Sequence, residues 1–343
     1  MKVGIYMDLR NPAAWERPWN RHYARVLERI ELAESLGIDS VWLTEHHLFE
    51  DGYLPQPLTF AAAIAARTRR IRIGTAILIA PLRKPIEIAE QAAMVDILSD
   101  GRLELGLGAG YLAQEFAAFG VDIGRRFPLL EESAASIRQI WAESGVTPKP
   151  IQDPAPLWVG ALGPRGARIA GRLGEGLLSL DPELLAPYLG ALEKAGFERS
   201  RARMTGLTNM IVSHDPERTW ALMSPHLGYQ WNSYLRAASA GTSAERMQDG
   251  VGVDAIYEFD AADQGVDPET LRSEGPVMLP PAIDVVTPED AVGRLTSWVS
   301  GLPAETGFFW DSIGAMPDEL VHEHLTLLAT RVAPAVSELG APA

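Results

Sequence analysis

Ser40-Val41-Trp42-Leu43-Thr44-Glu45-His46-His47 is an apolar run that stops in a carboxylate and two imidazoles. A strand buried on both faces reads as a continuous apolar run, and in parallel-strand barrels the chemistry collects at the strand C-termini. The stretch is therefore expected to be a buried strand with Glu45, His46 and His47 at its functional end.

Toward the N-terminus, Val3-Gly4-Ile5-Tyr6-Met7 reads as another strand, closed by the turn residues Asn11 and Pro12. Between the two, over 20–37, Val26, Ile30, Ala33 and Leu36 recur at helical spacing, Arg25, Glu28, Arg29 and Glu31 take the other faces, and Gly37 supplies the stop. The opening of the chain thus spells strand, helix, strand, with the second strand over 38–44. Toward the C-terminus the unit repeats. Strands are expected at 71–79, 103–107, 157–160, 176–180, 204–212 and 307–310. Helices are expected at 58–67, 86–98, 112–119, 129–141, 166–173 and 291–299, from Pro216 onward, and along a last stripe of Leu320, Val321, Leu325, Leu328 and Val332. Asp215-Pro216 and Thr287-Pro288 each set a capping side chain before a proline at the first helical position. Strands alternating with helices imply a parallel sheet, and eight such units fit a closed TIM-type (β/α)8 barrel better than an open sheet. The chain reads as one α/β domain over 1–343. Residues 240–283, rich in Gly, Asp and Pro and outside the repeat, are expected to form an insertion over the barrel mouth.

The length of 343 residues suits such a barrel, which takes about 250 residues plus insertions. With 47% hydrophobic and 22% charged residues a large core is available. A formal charge of -15, from 30 Lys+Arg against 45 Asp+Glu, repels phosphate backbones and anionic lipid, so neither nucleic acid nor a membrane is an expected partner. The chain has 0 Cys, which removes disulfides, thiolate nucleophiles and cysteine-held metals and suits a reducing compartment. Met1 to Ile5 starts with strand-like sequence rather than a charged leader, and no apolar run approaches the roughly 18 residues of a membrane helix, so a cytoplasmic protein is expected.

Glu45-His46-His47 offers a general base or hydrogen-bond donor to a site; the plainer alternative is one imidazole facing the lumen and the other capping structure. Side chains alternate along a strand, so the two imidazoles should point different ways. Metal is not expected, because adjacent histidines lack the i, i+4 spacing of zinc motifs and His322 and His324 fall on different helix faces. Gly106-Leu107-Gly108-Ala109-Gly110-Tyr111 follows a strand and precedes a helix, but its third glycine comes one position too early for a dinucleotide fingerprint. It is either a glycine loop that admits a flat ligand close to the backbone or a tight turn. Gly160-Ala161-Leu162-Gly163-Pro164-Arg165-Gly166 joins a strand to a helix N-terminus, whose free N–H groups and dipole suit a phosphate; a plain helix start is the alternative. No nucleophile elbow or Walker loop is present, and Ser213-His214-Asp215 is more simply a helix cap than a triad, leaving the role of His214 open.

Taken together, the chain resembles the bacterial luciferase-like flavin-dependent monooxygenases from Lys2 to Ala335, with the insertion least matched. The most specific stretches are Asp39 to His47, Arg72-Ile73-Gly74-Thr75-Ala76, Ala89-Glu90-Gln91 through Leu98-Ser99-Asp100-Gly101-Arg102, and the ending from Pro317 to Val332. The resemblance implies the same eight-stranded barrel with a flavin at the strand C-termini. It makes His46 the histidine that supports the reaction of reduced flavin with oxygen, with Glu45 and His47 beside it. Ala76-Ile77 matches a non-prolyl cis peptide under the ring, Gly108, Ala109, Gly110 and Tyr111 the loop alongside it, and Ala161, Leu162, Gly163, Arg165 and Gly166 the phosphate site. Two departures stand out. Ala109 replaces an arginine that luciferase places on the phosphate, so Arg165 is expected to supply that charge. Leu162 and Gly163 replace an acid and a serine, and the resulting Gly-Ala-x-Gly-Pro run looks like relatives that use the deazaflavin coenzyme, whereas Glu45-His46-His47 looks more like the FMN-using branch.

Three functions follow as expectations. The first is a monooxygenase in which reduced FMN, delivered by a separate flavin reductase, and O2 oxidise a small organic substrate. The second is a deazaflavin-dependent oxidoreductase that transfers hydride, and the third a flavin-binding relative without activity. The resemblance also implies a homodimer through the helices after the second and third strands, where Ala61 to Ala66 offer a small, flat apolar face.

Overall fold

The computed structural model describes residues 1–143, 145–239 and 283–339. Its strands are β1 (Lys2–Met7), β2 (Ser40–Leu43), β3 (Arg72–Thr75), β4 (Leu78–Ile79), β5 (Leu103–Gly108), β6 (Leu157–Gly160), β7 (Gly176–Leu178), β8 (Met204–Thr208), β9 (Met210–Val212), β10 (Asp284–Val286) and β11 (Ala304–Trp310). Eight parallel strands close into the expected barrel, in the order β3, β2, β1, β11, β8, β7, β6, β5. The ring is sealed where Ile73 of β3 pairs with Leu103 of β5, and β4 continues the line of β3 along β5. Every residue of β2 is buried, as its unbroken apolar run required.

Between the strands lie α1 (Trp19–Leu36), α2 (Pro57–Arg67), α3 (Pro85–Leu98), α4 (Ala113–Ala118), α5 (Arg126–Ala142), α6 (Pro164–Leu173), α7 (Leu185–Lys194) and α8 (Pro216–Ser239). Helix α1 buries Val26, Ile30 and Ala33 on one stripe and stops at Gly37, whose φ of 93° is left-handed. Later helices cover Pro288–Trp298 and Asp318–Leu327, and the chain then widens into a π-helical turn at Leu328–Val332.

Three features depart from the sequence pattern. The apolar run 71–79 is broken in two, with a cis peptide between Ala76 and Ile77 in the gap. The run 204–212 also divides, and β9 leaves the barrel to pair in parallel with β10, a strand that the periodicity did not reveal. Helix α7 was hidden as well, because Pro187 and Gly190 interrupt its pattern. It packs on α6 so closely that a Cβ at Gly171 would lie 2.4 Å from the Tyr188 carbonyl oxygen. The expected insertion at 240–283 lies outside the described residues apart from Ile283, which is buried.

Trp42 of β2 meets Trp158 of β6 edge to face at 6.4 Å and stacks on Phe308 of β11 at 5.0 Å. Because β2 and β6 are not neighbours in the ring, this contact places both indoles in the lumen. Glycines on adjacent strands make the room: a Cβ at Gly74 would lie 2.3 Å from the Trp42 ring, and one at Gly176 2.3 Å from the Trp158 ring. This aromatic plug fills the lumen beneath the C-terminal mouth.

Candidate active site at the barrel mouth

Beyond Leu43 the chain leaves the ladder, and Glu45, His46 and His47 become buried side by side with separate partners. Both Glu45 oxygens are engaged. Oε2 accepts the Ile79 N–H at 2.7 Å, while Oε1 accepts from Arg83 Nη1 at 2.5 Å and meets His47 Nε2 at 2.7 Å. Glu45 thus clips β4 to the end of β2 next to the Ala76-Ile77 gap, and His47 turns away to pack on Phe119 at 4.7 Å. His46 points elsewhere, as expected, although both residues lie beyond the end of the strand, so their different partners and not strand alternation set the two directions. Its Nδ1 lies 2.9 Å from Glu115 Oε1 and its Nε2 lies 3.2 Å from the Tyr111 hydroxyl. Phe49, Tyr53 and Tyr234 surround the ring at 5.1, 4.8 and 5.9 Å.

Sequence reasoning missed the polar frame behind this cage. Glu115 stands in the first turn of α4 with no exposure; its Oε1 also accepts the His47 N–H at 2.8 Å, and its Oε2 has no partner. Arg10, fully buried, lies over Tyr53 at 4.1 Å and Tyr234 at 4.6 Å and donates from Nη1 to Asp51 Oδ2 and Ser233 Oγ at 2.6 Å each. The Tyr53 and Tyr234 hydroxyls meet at 2.8 Å. Burial lifts the phenols of Tyr53, Tyr111 and Tyr234 above their ordinary range, so all three carry their protons near neutrality. Asp8, just past β1, is pushed up to about 7 by burial, against the pull of Arg10. A signal existed for these residues: Asp8 and Asp311 directly follow barrel strands, and Glu115 is an acid on the apolar side of α4 beside Leu112 and Phe116.

The glycine stretch is explained by close approach more than by a turn. Gly106 and Gly108 lie within β5; a Cβ at Gly108 would meet Ile77 Cγ1 at 2.4 Å, and one at Gly160 would meet Ile77 Cγ2 at 2.5 Å. Only Gly110, at φ 70°, needs the left-handed region. Ala76 and Ile77 thus form a shelf at the mouth, flanked by half-buried Ala109 and Tyr111. Further round, Gly163 caps α6, Ala161 is half-buried and Gly166 is buried, while the Leu162 side chain is 79% exposed. No acid occupies the first turn of α6, and exposed Arg165 lies over the Phe127 ring at 4.4 Å, with Arg126 over the same ring at 4.9 Å. The expected anion position therefore has helix donors and guanidinium groups together.

Other sequence candidates resolve as structure. His214 is exposed, and its backbone N–H donates to Glu323 Oε1 at 2.8 Å, while Asp215 Oδ1 accepts the Arg218 N–H at 3.1 Å as a helix cap. His322 is exposed whereas His324 is buried. Among the described residues no group of three His, Asp or Glu side chains is placed to hold a metal, and no helix is long and apolar enough to cross a membrane.

Comparison with known proteins gives this geometry its setting. A family model described as luciferase-like monooxygenase matches residues 1–272. The F420-dependent glucose-6-phosphate dehydrogenase of Amycolatopsis mediterranei is 31% identical over 242 residues, spanning 63% of this chain and 73% of that protein. The oxygenase component of the flavin-dependent trigonelline monooxygenase of Acinetobacter baylyi is 30% identical over 164 residues, 43% of this chain and 46% of that one. Among solved structures, monooxygenase RslO1 from Streptomyces bottropensis superposes with a TM-score of 0.71 at 25% identity, covering 97% of this chain and 99% of that one.

Proposed function

The chain belongs to the luciferase-like monooxygenase family, and from that premise we propose that it is a flavin-dependent monooxygenase acting on a small organic substrate with reduced FMN and O2. The observation that carries this reading is His46, held by Glu115 and Tyr111 at a strand C-terminus beside the Ala76-Ile77 shelf. A flat ring with a short anionic tail fits the residues present. Gly108 and Gly160 give the Ile77 side chain of the shelf room to lie against the strands, and the Ala161 to Gly166 loop offers free N–H groups with Arg165 beside them. When bound, the reduced flavin would supply the electrons that activate oxygen. The protein's own part is to seat the ring, to hold the paired His46 imidazole and Tyr111 phenol at its edge, and to exclude water with the Phe49, Tyr53 and Tyr234 cage. In this reading Glu45 and His47 support the shelf through Ile79 and Arg83.

The tail distinguishes FMN from the deazaflavin coenzyme, whose long acidic extension needs a basic exit. Of the residues that could provide one, Arg83 is held by buried Glu45, whereas Arg125 only faces exposed Glu132 at 3.7 Å. The engagement of Arg83 favours the short FMN phosphate. A second reading, hydride transfer with deazaflavin, is supported by the F420-dependent relatives and by the Gly160-Ala161-Leu162-Gly163-Pro164 run. We further propose that a separate reductase delivers the flavin and that the protein is a homodimer, since α3 presents Ile86, Met94 and Leu98 to solvent. Titrating both coenzymes into the cofactor-free protein tests the assignment. Tighter binding of reduced FMN, weakened by Arg165→Ala, is expected; deazaflavin binding at least about tenfold tighter, about 1.4 kcal/mol, would replace the monooxygenase reading with the second.

A further inference from the structure

We propose that Glu115 is the positioning residue of this site: its carboxylate fixes His46 with the proton on Nδ1, which leaves Nε2 as the acceptor of the Tyr111 O–H.

The argument is one of donors and acceptors. Glu115 Oε1 receives two groups at once, the His47 backbone N–H at 2.8 Å and His46 Nδ1 at 2.9 Å. A backbone N–H can only donate, so Oε1 is acting as an acceptor, and Nδ1 must carry hydrogen to bond it. In the neutral ring Nε2 then holds the lone pair. The Tyr111 oxygen stands 3.2 Å from Nε2, and burial keeps that phenol protonated, so its O–H points at the imidazole. Tyr111 and Glu115 lie four residues apart where the glycine stretch enters α4, so one short segment grips both nitrogens of the same ring. No other side chain bonds His46 among the described residues, and the surrounding Phe49, Tyr53 and Tyr234 rings leave no room for it to turn freely. A hydrogen bond to a carboxylate outweighs one to water, which biases the tautomer at least about tenfold.

This inference rests on the reading that His46 stands at the reaction centre, but its test does not use the reaction. Nitrogen-15 NMR of the histidine side chains in the cofactor-free protein, with His46 assigned by its loss in His46→Asn, reports which nitrogen is protonated. The wild type is expected to show hydrogen on Nδ1. Glu115→Gln keeps a carbonyl oxygen for both donors and should retain that tautomer. Glu115→Met removes the acceptor and should shift the ratio toward Nε2–H by at least about tenfold. Tyr111→Phe should leave Nδ1 protonated and move only the Nε2 signal. Hydrogen on Nε2 in the wild type overturns the proposal without any variant, as does an unchanged Nδ1–H tautomer in folded Glu115→Met. If the coenzyme titrations fail while the tautomer is as stated, the error lies in the functional assignment and not in the role of Glu115.

Discussion

Lowering the pH should weaken this fold through His324, a buried residue outside the candidate site. Its ring has no exposure; Nε2 lies 2.9 Å from the Trp310 carbonyl and Nδ1 2.8 Å from the Val212 N–H. The Val212 contact makes Nδ1 an acceptor and the Trp310 contact makes Nε2 a donor, so the neutral ring is fully satisfied where α8's neighbour β9, strand β11 and helix Asp318–Leu327 converge. Burial holds its pKa down to about 4 from the ordinary 6.5, against the opposing pull of the Trp310 and Val212 carbonyls. Between those values the unfolded chain binds a proton that the folded chain does not, so stability falls as the pH falls. The loss is about 2 kcal/mol by pH 5 and about 3 kcal/mol by pH 4, at 1.36 kcal/mol for each tenfold change. Asp8, raised to about 7, acts in the opposite sense, since its protonation relieves a buried charge. The assay must therefore be differential. Urea unfolding of wild type and His324→Gln across pH 7 to 4 cancels Asp8 and every other shared group, provided the two sites do not couple. His324→Gln should be the less stable protein at pH 7, and the gap should narrow by about 3 kcal/mol at pH 4. Parallel curves would refute the account of a buried neutral imidazole.

Three further outcomes follow from the same packing. Gly106→Ala would place a Cβ 1.9 Å from the Thr75 carbonyl oxygen, and because backbone cannot yield there, a loss of about 3 kcal/mol or more is expected in urea unfolding; near-wild-type stability would contradict it. Arg83→Met removes a partner from fully buried Glu45 and should cost about 3–5 kcal/mol by the same measurement, with less than about 1 kcal/mol showing that the clip on β4 is dispensable. Met94→Glu, on the exposed row of α3, should convert the proposed homodimer to monomer in sedimentation velocity, and a monomeric wild type at micromolar concentration would remove the homodimer itself.

Much of the barrel is written locally. The run from Ser40 to Leu43 is apolar because both faces of a parallel strand are covered, and the stripe Val26, Ile30, Ala33 is apolar because one helix face is. Such patterns need only neighbours in the chain to be read, so the eight-unit repeat and the position of His46 at a strand end are legible directly. The half of α2 formed by Ala61 and Ala65 shows the limit: alanine repeats look uniform, but these two face the core and Ala66 faces solvent. What the sequence could not disclose depends on groups brought together from afar. Glu115 reaches His46 across 69 positions, and Tyr234 reaches Tyr53 across 181. Likewise, Glu45 reads as part of a candidate general-base cluster at a strand end, and the fold brings it Ile79, Arg83 and His47. A carboxylate's role is set by which donors surround it, and that is decided only when the strands close the ring; the chain alone determined that an acid and two imidazoles would stand at a strand end, and tertiary structure determined which partners each of them met.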